Sequence, residues 1–182
     1  MTFNPDIHHR RSIRLKNYDY SENGYYFITI CTKHSENYFG EIKNGKIVLN
    51  EYGNIIKNIW YALPKHFWNC KLDNFMIMPD HFHGIIIIDN DMKSEPRRGK
   101  VTLPLQTMPL PNNKIKCALG NIIGFFKYQT TKSINELRNT PGIPIWQRNY
   151  YERIIRDEKE LYIKRNYILN NPLKWELDRG AW

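Results

Sequence analysis

Met78-Pro79-Asp80-His81-Phe82-His83-Gly84-Ile85-Ile86-Ile87-Ile88-Asp89 is the stretch on which the reading of this chain turns. Pro79-Asp80 breaks the chain, and His81 to Asp89 reads as a strand whose four isoleucines imply burial on both faces. Strand side chains alternate, so His81 and His83 share one face while Phe82 points to the other. Two imidazoles about 7 Å apart along one strand can share a metal ion. The same pattern also suits two half-buried histidines bonded to their neighbours. Asp80, just before the pair, is placed to contact one of the histidines from outside a ligand set.

Outward from that strand, Leu72 to Met78 reads as its neighbour before the break. Asn50 has the form of an N-cap, followed at helical spacing by Tyr52, Ile55, Ile56, Ile59, Trp60 and Leu63, with Pro64 as the stop. Asn44-Gly45, between Ile42 and Ile47, is a two-residue hairpin signal, because both central residues must accept positive φ. Tyr25 to Thr32, bounded by Gly24, reads as a strand. Residues 1–24 read as a basic arm carrying Arg10, Arg11, Arg14 and Lys16.

Toward the C-terminus, residues 89–117 hold four of the ten prolines and six lysines or arginines, which predicts a long basic loop. Helical spacing returns from Leu119 through Ile122, Ile123, Phe126, Ile134 and Leu137. Tyr151 to Ile155 makes a last short strand. Asp157 with Glu160 resembles a capping box opening a final helix that Pro172 closes. The element order predicts a single α+β domain over residues 1–182, an antiparallel sheet with helices mainly on one face.

Composition narrows the partner. A net charge of +9 and 27 Lys and Arg against 18 Asp and Glu favour a polyanion, since bound phosphates release counterions. Aromatics at 14% supply flat side chains that stack on unpaired bases. Three scattered cysteines, Cys31, Cys70 and Cys117, argue against a disulfide framework or zinc knuckle. No apolar run approaches the length of a membrane span, so a soluble, cytoplasmic protein is expected, with no membrane partner.

In the last helix Tyr167 and Asn171 are four apart and share a face with Lys164. Leu161, Tyr162, Ile168 and Leu169 gather on a different arc, which predicts the packed side. Tyr128, in Phe126-Lys127-Tyr128-Gln129, is a second tyrosine in a basic setting.

Met78-Pro79-Asp80-His81-Phe82-His83, with Tyr167-x-x-x-Asn171-Pro172 in a late helix, resembles the HUH-type Y1 transposases of the IS200-like family. The REP-associated tyrosine transposases are the branch most similar. Arg10-Arg11-Ser12-Ile13-Arg14-Leu15, Asp19-Tyr20 and Tyr26-Phe27-Ile28-Thr29 resemble that family's start. Trp146-Gln147-Arg148-Asn149-Tyr150-Tyr151 and Ile154-Ile155-Arg156 resemble the run before its catalytic helix. The likeness spans most of the chain apart from the loop at 89–117.

The resemblance implies a ferredoxin-like sandwich that cleaves and rejoins single-stranded DNA near palindromic hairpins. It implies Tyr167 as nucleophile, with Tyr128 the minor alternative because no ligand-like partner follows it at helical spacing, and His81, His83 and Asn171 holding Mg²⁺ or Mn²⁺. Related branches often use Gln where Asn171 stands, and Asn has the shorter arm. Arg10, Arg11, Arg14, Lys16, Arg97, Arg98, Lys100 and Lys164 are the residues expected on DNA. Two other readings remain: a basic hairpin-binding protein without catalysis, and a metal phosphodiesterase using the histidine pair with water. Monomer and homodimer are both open.

Overall fold

A computed structural model describes residues 15, 17–92 and 117–179. Among these residues six strands and three long helices follow the expected order: β1 Gly24–Cys31, β2 Gly40–Lys43, β3 Lys46–Leu49, α1 Glu51–His66, β4 Cys70–Ile77, β5 His81–Ile88, α2 Leu119–Leu137, β6 Tyr151–Ile155 and α3 Glu158–Arg179. A 3-10 turn, Lys33–Ser35, follows β1. The main sheet is antiparallel with order β4-β5-β1-β6, so β5 and its histidines are central. This is the α+β sandwich expected from the sequence.

Local chemistry accounts for the elements. Asn50 caps α1, its side-chain oxygen accepting the Gly53 N–H at 3.0 Å. Asn44 and Gly45 turn the β2–β3 hairpin with φ of 52° and 67°. At α3 the Asp157 carboxylate accepts the Glu160 N–H at 2.7 Å. The Glu160 carboxylate reaches back one residue further than a capping box requires, to the Arg156 N–H at 3.1 Å.

Period-2 alternation divides the sheet into two faces. On one, Tyr26, Ile28, Ile30, Phe82, Ile86 and Ile88 meet α1 and α2, with Trp60 and Phe126 fully buried between the layers. Gly84 makes room for this: a Cβ there would come within 2.8 Å of two Trp60 ring carbons. The other face is covered by α3, where Phe27, Ile85 and Ile155 pack with Leu161 and Ile168. Two helices therefore share one side and α3 crosses the other.

Neither proline ends its helix. Pro64 sits inside the last turn of α1, which runs to His66 and closes with the Phe67 N–H on the Leu63 carbonyl at 2.9 Å. Pro172 lies inside α3, which continues to Arg179. A proline there removes one ladder bond at a cost of roughly 3 kcal/mol. Tertiary contacts beyond it offset that cost: Glu176 accepts the Gly45 N–H of the hairpin at 2.6 Å, and Trp175 lies against His81.

Near the chain start, Tyr18 stands edge to face on Tyr20 and Tyr26, which are tilted against each other, and the Tyr20 carbonyl accepts the Leu119 N–H at 2.9 Å. The arm read over residues 1–24 is thus docked from Tyr18 inward. Most of the basic loop at 89–117 lies outside the described residues. In α2 the predicted face is buried except for Leu137, which is 49% exposed. Among the described residues no helix is long and apolar enough to cross a membrane.

Candidate active site

His81 and His83 project from β5 toward α3, as alternation requires, with ring centroids 4.5 Å apart. Each ring is held by its Nδ1. The Asp80 carboxylate lies 2.5 Å from His81 Nδ1, and Thr29 Oγ1, directly across the β1–β5 register, lies 2.8 Å from His83 Nδ1. A single ring proton on Nδ1, accepted by Asp80 and by Thr29, would leave each Nε2 lone pair for a ligand. Burial, then the neighbouring His81 and Lys164, pushes the His83 pKa down to about 3, so its imidazole is neutral at ordinary pH.

From above, α3 brings down Tyr167, whose hydroxyl lies 3.5 Å from His83 Nε2. The tyrosine ring stands edge-on to His83 and to Phe27, with centroids 5.1 and 5.9 Å away, and is 42% exposed. Phe27 stacks on His83 and so floors the site. Two turns on, Trp175 contacts His81 with centroids 5.5 Å apart. Asn171 lies between Tyr167 and Trp175 on this face, 8% exposed, and its amide makes no hydrogen bond among the described residues.

Lys164, one turn before Tyr167, holds its ammonium 4.7 Å from the Phe27 ring and 5.9 Å from the Tyr167 ring. Its place is inside the site rather than on a remote surface. Arg165 docks the helix from the other flank, its guanidinium on both oxygens of Asp73 at 3.0 and 2.5 Å. Asp73 reaches it because β4 shifts register between Leu72 and Phe75, a bulge that re-aims the side chain.

The packed stripe of α3 is therefore Leu161, Lys164, Arg165, Ile168, Asn171 and Trp175, with Tyr167 on its shoulder. This corrects the expected arc: Tyr162 and Leu169 are 67% and 56% exposed. Tyr128 is 48% exposed on α2, the helix on the opposite side of the sheet from the histidines. Arg10, Arg11, Arg14, Lys16, Arg97, Arg98 and Lys100 lie outside the described residues.

The two imidazoles and the Asn171 amide oxygen, with a phenol alongside, would make a mixed nitrogen–oxygen donor set. That set suits an octahedral divalent ion that keeps several waters better than structural zinc. Among the described residues no cluster of three or more His, Cys, Asp or Glu is present, and Asn171 is the residue whose amide could add a third donor to the histidine pair. Thr29, Phe27 and Trp175 were not singled out from sequence. Alternation placed Thr29 on some face, but only the β1–β5 register reveals which face.

No family model matches the chain. A Haemophilus influenzae protein of undescribed function is 45% identical over 179 residues, covering 97% of this chain and 96% of its own length. A second protein from that organism, named "Putative REP-associated tyrosine transposase", is 26% identical over 170 residues, covering 88% of this chain and 77% of that one. Among solved structures, a REP-associated tyrosine transposase bound to a REP hairpin superposes with a TM-score of 0.56 at 16% identity, covering 91% of this chain and 74% of that one. The chain thus belongs to one family with its 45%-identical Haemophilus relative, and in sequence and fold it resembles the REP-associated tyrosine transposases.

Proposed function

We propose that this protein cleaves and rejoins single-stranded DNA at a hairpin, using Tyr167 as nucleophile and a divalent ion held by His81, His83 and Asn171. The observation that carries the reading is the 3.5 Å approach of the Tyr167 hydroxyl to His83 Nε2, with both histidines anchored through Nδ1. The net charge of +9 supports a phosphate-rich substrate, and the similar solved transposase is bound to hairpin DNA.

In this reading Tyr167 Oη attacks the scissile phosphorus and the bond to the 3′ oxygen breaks. The products are a 5′-phosphotyrosine and a free 3′-OH. Attack by a 3′-OH reverses the exchange and returns the phenol, so joining consumes no ATP. Mg²⁺ or Mn²⁺ would polarise the phosphate and orient it. Asp80 and Thr29 hold the imidazoles in one tautomer, and Lys164 adds positive charge beside the attacking ring. The helix supplies orientation, which is where positional catalysis gains most.

A labelled single-stranded hairpin incubated with Mn²⁺ should be cleaved by wild type, and His81→Ala should bind the hairpin but leave it intact. Cleavage by His81→Ala at the wild-type rate would sink the metal assignment. Binding without cleavage by wild type, across hairpins and metals, would make this a DNA-hairpin-binding protein.

A further inference from the structure

On the far side of the sheet from Tyr167 a cavity of about 760 Å³ opens between α2 and residues 141–148. Pocket volumes of this order hold small ligands. Its wall includes Tyr128, Lys132, Pro144, Trp146, Gln147 and Arg148. The Tyr128 ring is 48% exposed and stacks on no ring among the described residues. Lys132 faces Glu136 at 3.9 Å, while the Arg148 guanidinium has no partner among the described residues.

The loop is built to hold this shape. Lys127 donates through its ammonium to the carbonyls of Gln147 and Arg148 at 2.6 and 2.9 Å. Trp146 is buried at 5% exposure, its indole N–H on Thr130 Oγ1 at 2.8 Å. The Gln147 N–H donates to the Cys31 carbonyl at 2.9 Å, and Cys31 pairs with His81. Two strand spacings, about 10 Å, therefore separate the loop backbone from that of His81.

We propose that this cavity takes one unpaired nucleotide of the DNA strand that reaches the Tyr167 site around the sheet end. The base stacks on Tyr128 and its phosphate meets Arg148. The wall is mainly apolar, which suits the flat face of a base on the Tyr128 ring, and the unpaired Arg148 guanidinium with the Gln147 amide at its edge supplies what a nucleotide's phosphate and base edge need. The inference rests on the single-strand reading above and assigns to binding the Trp146-Gln147-Arg148 start of a run that the chemistry leaves unused.

The test is fluorescence titration with 2-aminopurine-labelled single strands and a blunt duplex of equal length. Tyr128→Ala and Arg148→Ala should each bind the single strand about tenfold more weakly, with quenching of the base lost and duplex binding unchanged. Tyr128→Phe keeps the ring and should bind as wild type. The rate of adduct formation at saturating DNA should be unchanged in all three. Wild-type affinity in both truncations, while wild type still binds and cleaves, overturns this proposal alone. Equal weakening for duplex and single strand also overturns it. Failure of wild type to bind any single strand overturns it together with the proposed function.

Discussion

Replacing Thr29 with valine removes one hydroxyl and keeps the side chain's shape and strand preference. That hydroxyl is 2.8 Å from Nδ1 of His83, a residue only 3% exposed. Without it the ring has two choices. It can keep its proton on Nδ1 with no acceptor, an unmade buried hydrogen bond costing about 1–3 kcal/mol. Or it can move the proton to Nε2, which removes the lone pair facing Tyr167. Either way the site loses a neutral, correctly oriented donor, and losses of such supporting contacts typically weaken metal affinity about 10- to 100-fold. Calorimetric titration with Mn²⁺ measures this directly, with urea unfolding run in parallel to separate affinity from stability. Thr29→Ser returns the hydroxyl and should restore most of the affinity. A folded Thr29→Val protein that binds Mn²⁺ as wild type does would refute the anchoring role of Thr29.

Gly84→Ala should destabilise by about 1–3 kcal/mol in urea unfolding, because its Cβ meets the fully buried Trp60 ring at 2.8 Å; wild-type stability would mean that the ring can move. The Arg165 hydrogen bond holds the Asp73 carboxyl below the usual carboxylate range. Its stabilisation is thus full above a pH of about 4 and lost as pH falls through the depressed value. The stability gap between wild type and Asp73→Asn should accordingly shrink on acidification, and a pH-independent gap would contradict the pairing. Neutralising Arg10, Arg11 and Arg14 together should flatten the salt dependence of DNA binding by close to one log unit per lost contact. An unchanged slope would move the DNA to another surface.

The histidine face was legible because strand alternation is strict: once His81 to Ile88 is a strand, His81 and His83 must share a side. The Tyr167–Asn171 relation followed from helical spacing in the same way. What misled was the packed stripe of α3. Hydrophobicity favoured Tyr162 and Leu169, yet the sheet face beneath α3 is partly polar, carrying Thr29, Asp73, His81 and His83. Lys164, Arg165 and Asn171 therefore turn inward and the leucine turns out. Local rules make Pro64 and Pro172 helix stops because they see the missing N–H but not the docking beyond it. For Pro172 that docking is Glu176 on the hairpin and Trp175 on His81. Thr29 stayed hidden because register between distant strands leaves no local trace.

The central claim is that the Tyr167 oxygen becomes bonded to DNA. Wild type and Tyr167→Phe, incubated with a 5′-labelled or 3′-labelled single-stranded hairpin and Mn²⁺, can be compared for a denaturant-resistant adduct, with the modified peptide located by mass spectrometry. The phenylalanine keeps the ring against His83 and Phe27 and removes only the oxygen. An adduct on the wild-type peptide containing Tyr167, retaining only the 3′ label and absent from the variant, is the predicted result. An adduct that persists in Tyr167→Phe, or none from wild type on a hairpin it binds, would contradict it.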